Sequence, residues 1–144
     1  MHNPEINRKL LEFFGYTVKP LTKNPISSGL YSPDGELVEN STQARAETCW
    51  SQGPDLFLNM EAIFHETRRY FDKHRKYHKL HLEIDFGVQY VEVRIMIQNQ
   101  SHMPFLNFGE GGAPTIAGAL ASAMFFFFKR EEKRKTIDEQ PSFW

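Results

Sequence analysis

The run Lys79-Leu80-His81-Leu82-Glu83-Ile84-Asp85-Phe86-Gly87, followed by Val91-Glu92-Val93-Arg94-Ile95-Met96-Ile97, decides the fold. Leu80, Leu82, Ile84 and Phe86 alternate with Lys79, His81, Glu83 and Asp85; Val91, Val93, Ile95 and Ile97 alternate with Glu92, Arg94 and Met96. A period of two sends successive side chains to opposite faces, so each run is dry on one side and polar on the other. With Gly87 in the short connection, the pair reads as an antiparallel hairpin. A third strand is expected beside it at Met103 to Phe108.

Outward from the hairpin the spacing becomes helical. Upstream, Leu56, Met60, Ile63, Phe64, Thr67 and Phe71 recur at three and four residues, which predicts a helix opened by Pro54-Asp55 and ending between Lys73 and Tyr77. At the start, Asn3 as cap, Pro4 in the first turn and Gly15 just past the end frame a helix whose stripe is Ile6, Leu10, Leu11 and Phe14. Pro20, Pro25 and Gly29 then break the chain into short runs, and Ser32-Pro33-Asp34-Gly35 predicts a turn closing a small hairpin. Residues Glu39 to Gly53 read as a surface loop or a short helical piece.

Downstream, Gly109-Glu110-Gly111-Gly112-Ala113-Pro114 reads as a loop leading into a last helix, with Pro114 in its first turn. Ile116, Ala117, Leu120, Ala121, Met124, Phe127 and Phe128 form the expected buried stripe. The helix continues through Lys129 to Lys135, where cations favour the negative end of the helix dipole. Ile137 to Trp144 reads as a tail. The fold class is therefore α+β: a single domain over residues 1–136, with an antiparallel sheet packed by amphipathic helices.

The bulk properties agree with one domain. The chain has 144 residues, 40% of them hydrophobic, which is enough for a core without staples. One cysteine, Cys49, excludes an internal disulfide framework and a cysteine-built zinc site, and suits a reducing cytoplasm. Seventeen basic against 18 acidic residues give a net charge of −1, which argues against a dedicated nucleic-acid binder. Met1 to Leu11 is interspersed with polar and charged residues and has no secretory apolar run, and the apolar stretch Ala113 to Phe128 falls short of the roughly 20 residues that span a bilayer. A cytoplasmic protein with no membrane partner is expected.

Three constellations bear on chemistry. Backbone N–H groups at Gly109, Gly111 and Gly112, ahead of Thr115, could cradle a phosphate at a helix start. The Lys-Ser/Thr pair of a P-loop is missing, and Glu110 opposes an anion, so a plain strand-to-helix turn is the commoner use of such glycines. The stretch His65 to Lys79 holds Arg68, Arg69, Lys73, Arg75, Lys76 and Lys79, interleaved with Tyr70 and Tyr77. Guanidinium forks grip phosphates and rings stack on bases, although a solvated helix face is the usual role of such a run. On the polar sheet face stand His81, Glu83, Asp85, Glu92 and Arg94. Same-face neighbours on one strand lie about 7 Å apart, so a metal site there needs Glu92 from the paired strand, and ion pairs of Glu83 or Asp85 with Arg94 are the default. His74 and His78 have metal-compatible spacing without an accompanying carboxylate motif, and Cys49 has no histidine nearby in sequence.

The order of elements resembles the phage ABA-sandwich domain family, small α+β proteins of phages and prophages. The matching stretches are Ile6 to Phe14 with Tyr16, Leu30-Tyr31-Ser32-Pro33-Asp34-Gly35-Glu36-Leu37-Val38, Gly53-Pro54-Asp55, and Gly109 to Ala123. Phe125-Phe126-Phe127-Phe128 departs from that pattern. Four consecutive phenylalanines point all round a helix, so one or two should leave the core and mark a homo-oligomer interface. The resemblance implies a phage protein acting in the bacterial cytoplasm. By analogy with small phage proteins that sequester nucleotide immune signals of the CBASS or Thoeris defences, it implies non-catalytic binding of a cyclic nucleotide or cyclic ADP-ribose derivative, without a cofactor. In that reading Arg68, Arg69, Arg75, Arg94 or the stretch holding Gly109, Gly111, Gly112 and Thr115 meets the phosphates, and Trp50 or Phe108 stacks the base. The alternatives are a metal-dependent phosphodiester hydrolase using Glu83, Asp85 and Glu92, and a module that blocks a host effector through Phe125 to Phe128.

Overall fold

A computed structural model describes residues 4–21, 24–38 and 42–139, with side chains left undescribed at 24–26 and 135–139. Asn3, expected as a cap, and residues 140–144 of the expected tail lie outside these. The chain is α+β, as its patterning requires. The elements run α1 (Pro4–Phe14), β1 (Thr17–Leu21), β2 (Asn24–Tyr31), α2 (Ala46–Ser51), α3 (Met60–His74), β3 (Lys79–Gly87), β4 (Tyr90–Gln98), β5 (Leu106–Ala113) and α4 (Ile116–Glu139).

β3, β4 and β5 form one antiparallel sheet in that order, and β1 pairs with β2 in a separate two-stranded sheet. In the larger sheet Glu83 stands opposite Arg94, and Arg94 opposite Glu110, across three neighbouring strands. Val91, Val93, Ile95 and Ile97 point to the other face and are buried. α4 packs there, across β5 and β4, with α3 against its flank. The third strand does not run from Met103 to Phe108 but from Leu106 to Ala113, so the glycine-rich stretch expected as a loop is a strand. A β-carbon on Gly109 would lie 2.9 Å from the carbonyl oxygen of Ala123, and one on Gly111 would strike the Ala123 nitrogen and the Ser122 carbonyl carbon. Glycine is needed because a helix backbone presses onto the strand, and the absence of side chains hides the period of two.

The remaining elements follow local chemistry more closely than apolar spacing. Asp55 makes a turn, its carboxylate accepting from Phe57 N at 3.1 Å, and α3 begins only at Met60, where the Asn59 side chain accepts from Ala62 N at 3.0 Å. The helix expected from Pro54 therefore starts about one and a half turns later, and Met60 is exposed. In α1 the expected Ile6 is exposed and Asn7 turns inward instead. Its side-chain nitrogen donates to Pro54 O at 3.0 Å and its oxygen accepts from Leu56 N at 2.9 Å, so a buried amide stitches α1 to the segment before α3. Gly15, at φ 109, ends α1.

The Ser32–Gly35 turn is present, with Gly35 N donating to Ser32 O at 2.9 Å and Gly35 at φ 85. It closes a single bridge, Tyr31 to Leu37, rather than a hairpin; the strand pairing lies upstream, between β1 and β2. Within the segment read as a surface loop or a short helical piece, the helical piece is present as α2, which buries Cys49 and Trp50, the sulfur lying 3.2 Å from Ser28 O and 3.7 Å from Gln43 O. Thr115 caps α4 by accepting from Gly118 N at 3.1 Å, which leaves Pro114 ahead of the helix. α4 stays helical to Glu139, into the stretch expected as a tail. It sorts the phenylalanine run: Phe127 and Phe128 are buried, Phe125 is half-buried and Phe126 is 59% exposed. Phe128 stacks on Phe13 at 5.2 Å, and Phe127 meets Phe71 at 5.5 Å.

Candidate functional site

One turn after another, α3 sets Phe64, Arg68 and Asp72 in one column and His65, Arg69 and Lys73 in the next. Residues four apart share a helix face, so the two columns stand side by side. Together with Asp34 from the Ser32–Gly35 turn they line an open groove of about 630 Å³. Three cations and two carboxylates line it, Asp72 from α3 itself and Asp34 from the turn, and the Phe64 ring supplies an apolar wall.

The cations differ in freedom. Arg69 Nη1 donates to Asp34 at 2.8 Å, and its Nη2 is paired with Glu66, a buried carboxylate. Glu66 also accepts from the Tyr16 hydroxyl at 2.7 Å. Burial works against the Arg69 charge, but the Glu66 carboxylate and the Tyr16 hydroxyl outweigh it and raise the guanidinium pKa. Burial first, and Glu66 second, push the Tyr16 hydroxyl far above the ordinary tyrosine range. Arg69 is thus a fixed charge held from behind. Arg68, by contrast, is 79% exposed, with Asp72 at 3.8 Å, a separation worth little in water. Lys73 makes no ion pair among the described residues.

The other expected ligand-binding residues do not join this groove. Arg75 follows the end of α3 and lies over the Phe108 ring at 4.2 Å. Arg94 is on the polar sheet face, where its Nη1 donates to Glu83 at 2.8 Å and Asp85 at 3.0 Å, and its Nε to Glu110 at 3.3 Å. Glu83 first, helped by Asp85 and Glu110, raises the Arg94 pKa against the desolvation that opposes it. These are the cross-strand ion pairs that the alternation allows. Among the described residues no three His, Cys, Asp or Glu side chains are placed to share a metal ion. Trp50 lies under Arg8 at 5.3 Å and lines a second hollow, of about 420 Å³, with Arg8, Glu47 and Asp55. Gly109, Gly111 and Gly112 are in the β4–β5 ladder, Gly109 N donates to Asn107 Oδ1 at 3.0 Å, and Thr115 caps α4. The phosphate cradle expected of a loop therefore has no loop to form it.

Arg68, Arg69 and Lys73, in the stretch opening at His65, were readable in the sequence, but Phe64 and Asp34 as their neighbours were not. The signal was the four-residue recurrence of the two columns, which the apolar stripe of the same helix masked. No helix among the described residues is long and apolar enough to cross a membrane. No known protein family, characterised protein or solved structure matches this chain.

Proposed function

We propose that the groove along α3 binds a phosphate-bearing, nucleotide-type ligand and holds it without chemical change. The supporting observation is the convergence of Arg68, Arg69 and Lys73 around one hollow walled by Phe64. An arginine fork and a mobile ammonium match phosphate oxygens, and an aromatic wall accepts the flat face of a base. Fixing Arg69 through Glu66 and Asp34 lowers the ordering cost of binding, since that charge is already in place. In the phage setting that the resemblance implies, the ligand is a cyclic nucleotide or a cyclic ADP-ribose derivative made as a host defence signal.

A thermal-shift series with cyclic di- and trinucleotides and cyclic ADP-ribose isomers tests this. A ligand at a hundredfold over its dissociation constant adds about 2.7 kcal/mol of stability, a clear rise in melting temperature. Arg68→Ala and Lys73→Ala should remove the rise while leaving the unliganded protein folded. The ligand should be recovered intact after heat denaturation. A flat series, or a rise untouched by both substitutions, overturns the reading.

A second reading has one observation in its favour. Phe126 is a large apolar side chain left in solvent within the packed stretch Ile116 to Phe128 of α4. That fits a contact with another protein, including a second copy, through the Phe125–Phe128 run. Retention of a host protein by the wild type and its loss in Phe126→Asp would support it.

A further inference from the structure

β3 is hydrogen-bonded to β4 along one side and, among the described residues, to no strand along the other. Its nine residues contain no proline and pair with β4 without a bulge, so two of the devices that blunt a sheet edge are missing, while the charges of Lys79, Glu83 and Asp85 remain to decide which edge it accepts. The face beneath it is also thinly covered, because α4 lies over β5 and β4. Leu80, Leu82 and Ile84 are only half-buried, whereas their neighbours Val93, Ile95 and Ile97 on β4 are fully so. At the tip, Phe86 is 72% and Val88 94% exposed.

We infer that this edge pairs with the same edge of a second copy, antiparallel about a two-fold axis at Leu82, joining the two larger sheets into one. The order of charges along the strand selects that occupant and that register. With Leu82 opposite the partner's Leu82, His81 faces the partner's Glu83 and Lys79 faces the partner's Asp85. Leu80 then meets the partner's Ile84 on the apolar side. Phe86 meets the partner's His78, a residue that already extends the ladder by donating its N–H to Gln98 O at 2.8 Å. The two-fold repeats every one of these pairs. Sliding by two residues either way sets His81 against the partner's His81 or Glu83 against the partner's Glu83, and sliding by one sets apolar against charged side chains. Lys79 and His81 make no ion pair within their own chain among the described residues, so both are available. The outer row then runs Glu110, Arg94, Glu83 and onward to the partner's His81, whose ring N–H can donate to the Glu83 carboxylate at the junction.

Sedimentation equilibrium of the whole chain from micromolar to about 100 µM, the range where a modest interface is populated, reads the dimer directly. Lys79→Glu or Asp85→Lys alone sets like charges opposite each other twice, and should raise the dissociation constant roughly tenfold or more. The double variant Lys79→Glu/Asp85→Lys swaps the pair and should recover part of the lost affinity, the remainder reflecting the Asp85 contact with Arg94 inside each chain. Leu82→Cys places two thiols directly opposite across the axis, within disulfide reach, and should give a reducible covalent dimer on mild oxidation. Val88→Cys, exposed but off the axis, should not. A wild type that stays monomeric throughout overturns the inference. So does a dimer that the charge swap fails to restore even in part, or one that the Leu82→Cys variant does not cross-link. Far-ultraviolet circular dichroism of each variant separates a lost interface from a lost fold, and the Leu82→Cys result stands independently of the charge variants.

Discussion

The hydroxyl of Tyr16 donates to Glu66 Oε1 at 2.7 Å, across 50 positions of sequence. Glu66 is 4% exposed and its other oxygen is paired with Arg69, which reaches on to Asp34. One chain of polar contacts thus connects the end of α1, the middle of α3 and the Ser32–Gly35 turn. It also decides which charge of the groove is rigid.

Breaking that chain should cost most where it leaves the buried carboxylate alone. Arg69→Ala is expected to lower stability by about 3 kcal/mol, and Tyr16→Phe by about 1–2 kcal/mol. Arg68→Ala, one residue away but exposed, should change it by less than about 0.5 kcal/mol. Urea denaturation of the three variants checks this; equal losses in Arg69→Ala and Arg68→Ala would remove the network as a stabilising element.

Alkali should unfold the protein through its tyrosines. The Tyr16 pKa is raised in the folded state, so below about pH 10 both states keep the proton and its contribution is fully present. Above that pH the unfolded chain ionises while the folded one does not, and stability falls by about 1.4 kcal/mol per pH unit for this group. Tyr70 and Tyr77 are raised in the same direction, chiefly by burial, and add to the decline. Melting curves from pH 8 to 11 should fall less steeply in Tyr16→Phe. An identical slope would mean the hydroxyl ionises as freely in the folded state as in the unfolded one.

Two glycines should fail for different reasons. Gly111→Ala drives a methyl into the backbone of α4, and an overlap with backbone rather than a flexible side chain should cost about 3 kcal/mol or more. Gly35→Ala meets nothing within 4 Å and costs only the positive φ, about 1 kcal/mol. Chemical denaturation of both, side by side, distinguishes close approach from backbone strain; a mild Gly111→Ala would refute the close approach of α4.

Asn7→Ala should lose about 2–3 kcal/mol, because it strands the Pro54 carbonyl and the Leu56 amide. Hydrogen exchange at Leu56 should accelerate with it. Protection unchanged at that amide would show that its partner is not Asn7.

The phenylalanine run should split by position. Phe127→Ala removes a ring packed against Phe71 and Phe108 and should cost about 3–5 kcal/mol. Phe126→Ser should be nearly neutral for the isolated monomer. Comparable losses in both would contradict the observed orientation of α4.

The β3–β4 hairpin and α1 were legible because their signals are local: a strict period of two, and a proline-to-glycine frame. The start of α3 was not, since Leu56 and Met60 happen to continue its spacing while Asp55 and Asn59 decide the turn and the cap. β5 was hidden most completely. Its glycines carry no period, and their reason is the backbone of α4 between Ala119 and Ala123, which no local pattern contains. The inward side of α1 was missed at Asn7 because a buried amide is invisible to apolar spacing until its partners at Pro54 and Leu56 are in place. For the groove, Arg68 and Arg69 were readable as residue types, but Asp34 reaches it only through tertiary contact. Trp50, Phe108 and Arg94 were sound choices by chemistry that the topology sends elsewhere, Trp50 into the core at α2, Phe108 beneath Arg75 and Arg94 onto the polar sheet face.

The contact of Gly109 and Gly111 with Ala123 also sets the rotational phase of α4. Backbone against backbone leaves no slack for the helix to roll, so the roughly 100° between consecutive residues is counted from that point. Three positions on, the count has Phe126 in water, and the next two rings in the core. A single residue inserted between Ala123 and Phe125 would advance that count by one step. It would carry a core ring out and the solvent-facing ring in, so the glycines of a strand act as the timing mark for an aromatic cluster on a different element.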